Sequence, residues 1–225
     1  MYHSVGGDVP GNPYGICIDP KLFNAHLRAL AAHGGFRYSL FSKPSPARRE
    51  LAITFDDGFR DTLTVAAPVL QELDLPMTVF VTSAHIREPG RLYLSKDELK
   101  MLAALPNVLI GAHGDRHKPL DALPDAELAA ELRDSRSFLE DLLGRPVRTM
   151  SYPHGRVDRR VRDAAQAAGY ELAGTSRYGI SDAARDPLLL HRTEITAYDS
   201  VGDLLLKADG HWDWFARRHP DPAAK

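Results

Sequence analysis

At 225 residues, 44% hydrophobic and 26% charged, the chain is long enough to bury a core of its own, and one domain over 1–225 is expected. A formal net charge of -2 argues against nucleic acid or a membrane surface as a partner. The lone cysteine, Cys17, excludes an internal disulfide framework, and no apolar run is long enough to span a membrane. No signal peptide precedes the fold, so a cytoplasmic location is expected, although Met1-Tyr-His-Ser-Val reads as a start inside the first element, trimmed or freed of a leader.

Helical and strand signals alternate along the chain. Asp19-Pro20 supplies a cap and a proline at the first helical position, Leu22, Phe23, Leu27 and Leu30 follow at helical spacing, and Gly34-Gly35 ends the helix. Residues 51–55 read as a buried strand that stops at Asp56-Asp57-Gly58, and 61–73 return to helical spacing. After a strand over 78–82, the capping box Ser95-Lys-Asp-Glu98 opens a helix to about Leu105. A strand over 108–110 delivers His113. The amphipathic helix over 124–143 stops at Gly144, and a strand over 147–152 ends at Pro153-His154-Gly155. A helix over 158–168 is closed by Gly169, strands are expected over 170–175 and 188–195, and a terminal helix over 200–217 breaks near Gly210. Segments 6–18, 42–49, 85–94 and 176–187 carry no regular pattern. This alternation implies an α/β fold with a mostly parallel βα-repeat, in a sheet that is open or closed into a barrel.

In such folds the loops after the strand C-termini hold the site. Three polar clusters fall there. Two adjacent buried carboxylates, Asp56 and Asp57, repel each other and are costly unless a cation offsets them; on a strand they point to different sides, so one can ligate a metal while the other faces a bound water. His113 and His117, four residues apart, can grip one ion. Pro153-His154-Gly155 is a rigid turn that can aim the His154 N–H at a developing oxyanion. One carboxylate with two imidazoles suits zinc, with cobalt or nickel as alternatives. His26, His33, His85 and His219 read as helix-face or loop histidines on the surface. Trp212 and Trp214 read as packing for the terminal helix rather than as sugar platforms.

Together these residues resemble the polysaccharide deacetylase family with the NodB homology domain (carbohydrate esterase family 4), over most of the chain from Tyr2-His3 to about Ile195. Thr54-Phe-Asp-Asp-Gly58 matches its first motif and His113-x-x-x-His117 its second. The resemblance implies an irregular (β/α) barrel, Asp56 as general base, and Asp57, His113 and His117 as metal ligands. It implies hydrolysis of an N-acetyl group on an amino sugar of a glycan or its precursor, releasing acetate. The third motif, usually Arg-x-Pro-x-Gly, reads Ser151-Tyr-Pro-His-Gly155 here. This shortened form, with Tyr2-His3 and His191-Arg-Thr-Glu-Ile195, is similar to the exopolysaccharide deacetylase branch, in which Arg192 would reach back to Asp56. The fifth motif, Leu-x-Leu-His, matches Leu188–Leu-Leu-His191 and would make His191 the acid for the leaving amine, yet neighbours on a strand face opposite ways. His3 and His154 are the other candidate acids. His3, Tyr152 and Pro153 are expected to meet the substrate. The competing expectations are a glycan-binding member without activity, an O-acetyl esterase, and a deacetylase of a nucleotide- or lipid-linked sugar.

Overall fold

The structure, a computed structural model, describes residues 1–7, 9, 12–47, 49–217 and 223, with 216 and 217 described through their backbone alone. A short parallel pair, β1 (Ser4–Val5) and β2 (Cys17–Ile18), precedes helix α1 (Pro20–His33). Six further strands form one parallel sheet in chain order: β3 (Arg37–Ser39), β4 (Glu50–Phe55), β5 (Met77–Val81), β6 (Val108–Ala112), β7 (Thr149–Ser151) and β8 (Leu172–Gly174). Its edges are joined by irregular backbone. Leu190 bridges Gly174, the Ile195 N–H bonds the Met1 carbonyl, and Tyr2 bridges Phe55. The result is the irregular (β/α) barrel that the resemblance implied.

Local chemistry explains most of the connecting helices. Asp19 Oδ1 accepts from the N–H groups of Lys21 and Leu22 to cap α1, and Gly34 closes it in the left-handed conformation. The segment expected to be helical over 61–73 opens as a π turn, Thr62–Ala66, and continues as α2 (Ala67–Glu72). Three elements lacked a legible pattern: β2, β3 and the one-turn helix α3 (Ser83–Arg87). The capping box at Ser95 opens α4 (Lys96–Ala103), and α5 (Asp125–Leu143) ends at a left-handed Gly144. The chain finishes with α6 (Arg159–Ala167), α7 (Val201–Ala208) and α8 (Trp214–Arg217).

The strand expected over 188–195 is replaced by a turn, a single bridge at Leu190 and irregular chain. Asp186-Pro187 prevails over the apolar run: Asp186 accepts from the Leu188 and Leu189 N–H groups and is itself held by Arg162. His26 is not a surface residue either. It lies on the buried stripe of α1 with Phe23, Leu27 and Leu30, its Nε2 2.9 Å from the Asp199 carbonyl oxygen. His33 is half-buried, its Nε2 3.4 Å from Asp209, and His219 lies outside the described residues. Trp212 packs on Tyr178 with Lys207 above its ring, as expected of a helix-packing side chain.

The period of two along each strand sorts the residues by function. Ile53, Phe55, Met77, Val79, Val81, Ile110, Ala112, Met150 and Ala173 join the main core with the helices. The alternate positions gather differently. Phe80 packs with Phe41 and Leu190, lies beneath the Arg192 guanidinium, and approaches Gly111. The side chains of Asp56, His113, Ser151 and Arg192 meet one another at the strands' C-terminal ends.

Candidate metal centre

Asp56 and Asp57 follow β4, His113 follows β6, and Ser151 closes β7. The Asp57 Oδ1 lies 3.4 Å from His113 Nε2 and 3.2 Å from His117 Nε2. That oxygen is buried and has no hydrogen-bond partner despite the two nearby nitrogens. One donor atom from each of Asp57, His113 and His117 falls within 4.8 Å of the others. Donors on a tetrahedral ion with bonds of about 2.0–2.1 Å sit about 3.3 Å apart, so the set fits zinc or a similar divalent ion. Burial alone would push the Asp57 carboxyl up, but His117, His113 and His3 outweigh it and hold the group well below the usual carboxylate range.

The His113 tautomer follows from its neighbours. Its Nδ1 faces the Ser151 carbonyl at 3.0 Å and the Ser151 hydroxyl at 2.6 Å. A carbonyl only accepts, so Nδ1 carries the proton and Nε2 is left with its lone pair toward Asp57. Burial lowers the His113 pKa to about 4, which keeps the ring neutral and able to ligate at neutral pH. Ser151, at the arginine position of the third motif, therefore orients His113, a candidate ligand. Ser151→Ala is expected to weaken zinc affinity toward the lower end of the 10–100-fold range typical of such outer partners, because the carbonyl remains. Competition with a chromophoric chelator measures it, and unchanged affinity would dismiss this role.

The arginine reaches Asp56 from elsewhere. Arg192 is 5% exposed and makes a bidentate pair, Nη1 to Asp56 Oδ1 at 2.7 Å and Nη2 to Oδ2 at 2.8 Å. Burial raises the Asp56 pKa, but Arg192 and His113 overcome it and bring the group to about 2. Gly174 makes room for the guanidinium: a Cβ there would lie 2.5 Å from Arg192 Nε. The Asp56 Oδ2 is 3.9 Å from His113 Nε2, so an ionised carboxylate stands beside the triad.

The other expected site residues divide. His154 is exposed, with its ring 4.4 Å from that of His117 and its Nε2 3.2 Å from the His117 carbonyl oxygen. His3 is half-buried, its Nδ1 3.9 Å from Glu194, and its charge acts on both Asp56 and Asp57. His191 turns away: its N–H donates to Ser181, its ring lies against Gly179, and it lines, with Thr54 and Arg192, a cavity of about 690 Å³ whose walls do not include the donor set. Arg192 holds the inward position that His191 would need. Tyr152 is fully buried and its hydroxyl donates to the Leu188 carbonyl, so it packs the core and presents nothing to a substrate. Pro153 is buried too, against Gly114.

His85, expected at the surface, lies under the site. It stacks on Tyr93 at 3.8 Å, and its Nδ1 is 3.3 Å from the Asp57 carbonyl oxygen. Asp57 itself has φ 72, a strained conformation for a residue with a side chain, and this contact braces its backbone. Glu131 on α5 was also not foreseen, although a charge on the buried stripe of Leu128, Leu132, Ser135 and Leu139 was a signal that could have found it.

Known proteins share this fold. YxkH of Bacillus subtilis (strain 168), whose name places it among polysaccharide deacetylases, is 26% identical over 203 residues, covering 87% of this chain and 70% of its own. The fold matches that of the Streptococcus pyogenes deacetylase PplD, solved with acetate, with a TM-score of 0.81 and 24% identity over 92% of this chain and 96% of the other. It also matches IcaB from Ammonifex degensii, with a TM-score of 0.75 and 23% identity over 92% and 94% of the two chains. A family described as polysaccharide deacetylase matches residues 43–173, more than half of the sequence. The chain belongs to the polysaccharide deacetylase family.

Proposed function

We propose that this chain is a metal-dependent hydrolase that removes an N-acetyl group from an amino sugar of a polysaccharide or its precursor, releasing acetate. The observation that carries the reading is the Asp57, His113 and His117 donor set beside an Asp56 held ionised by Arg192. Zinc held by the three donors would polarise the acyl oxygen and lower the pKa of a water. Asp56 is the base that takes a proton from the attacking water, because its bidentate pair fixes both oxygens and keeps it charged. His113 is kept neutral and oriented by Ser151. His154, whose ring lies 4.4 Å from that of His117, and His3 are the imidazoles we assign to return a proton to the departing amine; His191 faces elsewhere. No helix among the described residues is long and apolar enough to cross a membrane.

The test is acetate release from N-acetylated oligosaccharides and from a sugar nucleotide, with the protein loaded with zinc and an Asp56→Asn variant alongside. Release with the parent and its loss in the variant, with zinc retained in both, is the expected result. Release only from O-acetylated sugars would make the chain an esterase. Glycan binding without release would make it a binding protein.

A further inference from the structure

His113 and His117 are joined by Gly114, Asp115 and Arg116, and this loop enters the left-handed region at two points, freely at Gly114 and with strain at His117. Gly114 has φ 73 and His117, a metal-ligand candidate, has φ 56. Strained backbone persists only where its surroundings over-determine it. Two helices do so here. The Ser83 and Ala84 N–H groups at the start of α3 donate to the Gly114 and Asp115 carbonyls at 3.2 and 2.8 Å. On the other side, Glu131 Oε2 accepts from both the Asp115 and Arg116 N–H groups, at 2.9 and 2.8 Å. Glu131 is 5% exposed, on the stripe of α5 that packs against the barrel. Ser83 and Ser135 join α3 to α5 at 3.1 Å, and Arg87 pairs with Asp115 while lying over Phe138 of α5. The loop is therefore held by both its carbonyls and its amides.

From this geometry we infer that Glu131 is a positioning residue: a carboxylate outside the donor set that clamps the Asp115 and Arg116 amides and so holds His113 and His117 in ligand-ready geometry. The inference rests on the proposed metal site and adds a determinant of its affinity. A buried carboxylate is costly on an apolar helix face, and two charge-assisted bonds from backbone amides offset that cost. The free loop would sample conformations in which the two imidazoles part, so each zinc bound would have to order it.

The experiment measures zinc affinity by chelator competition, together with amide hydrogen exchange of the metal-free protein. Glu131→Ala is expected to weaken zinc binding by the 10–100-fold seen when outer partners of metal ligands are lost. Glu131→Gln, which keeps an acceptor oxygen at the same reach, is expected to restore affinity to within a few-fold of the parent. Exchange at Asp115 and Arg116 should accelerate in the alanine variant. Parent-like affinity and exchange in a folded Glu131→Ala protein would overturn the inference. So would equal weakening in the alanine and glutamine variants, because the charge and not the clamp would then be responsible. Should the alanine variant fail to fold, Glu131→Asp, which draws the carboxylate back by one methylene, is expected to fold and to bind zinc more weakly; unchanged affinity there also overturns it. If the parent takes up no metal, the proposed function fails by itself, and the exchange rates alone decide whether Glu131 clamps the loop.

Discussion

His117→Ala is expected to leave the protein with little bound zinc and no acetate release, whereas the parent, prepared identically, carries about one equivalent. The triad offers three donors, two of them imidazoles, around an Asp57 oxygen that has no hydrogen-bond partner. Removing one donor should cost more than the 10–100-fold attached to outer partners such as Ser151, because a metal–ligand bond is lost rather than reoriented. Asp57 would also lose a neighbour that holds its carboxyl low while remaining buried, so the remaining pair becomes a poorer ligand set. Thermal melting gives a second readout. Ligand that binds only the folded state stabilises it by about 4 kcal/mol at a thousandfold excess over Kd, so zinc should raise the parent's Tm and leave the variant's unmoved. Absence of metal in the parent, even after addition, would sink the metal hydrolase reading and leave a sugar-binding protein as the better account.

The parts of the site that could be read from the chain are those in which chemistry is local. Asp56-Asp57-Gly58 and His113-x-x-x-His117 sit within a few residues of an apolar run, so a strand end and its polar exit appear in one window of sequence. The helix caps at Asp19 and Ser95 are legible for the same reason. The Asp56–Arg192 pair spans 136 residues and could be reached only through resemblance, because periodicity carries no register between distant segments. Periodicity also failed where turn chemistry opposed it. The run 188–190 is wholly apolar, yet Asp186 and Pro187 turn it, and that turn is what brings Arg192 rather than His191 inward. Tyr152 stands next to the Pro153-His154-Gly155 turn in sequence but on the packed side of the chain. His26, His85 and Glu131 share one cause. A polar side chain on an apolar stripe reads as surface until its buried partner, a carbonyl or a pair of amides, is known.

Arg192→Ala is expected to lower kcat by 10²–10⁴-fold, the range that a positioned general base contributes, while metal content stays at one equivalent. The guanidinium contacts both Asp56 oxygens, so without it the carboxylate can rotate away from the water it must deprotonate. Its charge changes as well. Asp56 is held near 2 by Arg192 and His113 against a burial that raises it; with Arg192 gone, burial gains the upper hand and the pKa rises. The base works only when ionised, so the acidic limb of kcat/KM should move to higher pH in the variant, an effect that a purely structural loss would not produce. Stability should fall too, by about 3–5 kcal/mol, because removing one member of a buried ion pair strands the other. The double variant Arg192→Met with Asp56→Asn separates the two effects: it removes the stranded charge and should regain much of the Tm, yet stay inactive because the base is gone. Arg192→Lys keeps the charge but loses the two-pronged geometry, and its kcat should fall between parent and alanine. Parent-like kcat and an unshifted acidic limb in folded Arg192→Ala would show that Asp56 is positioned by other means, with His113, its next neighbour at 3.9 Å, the first group to test.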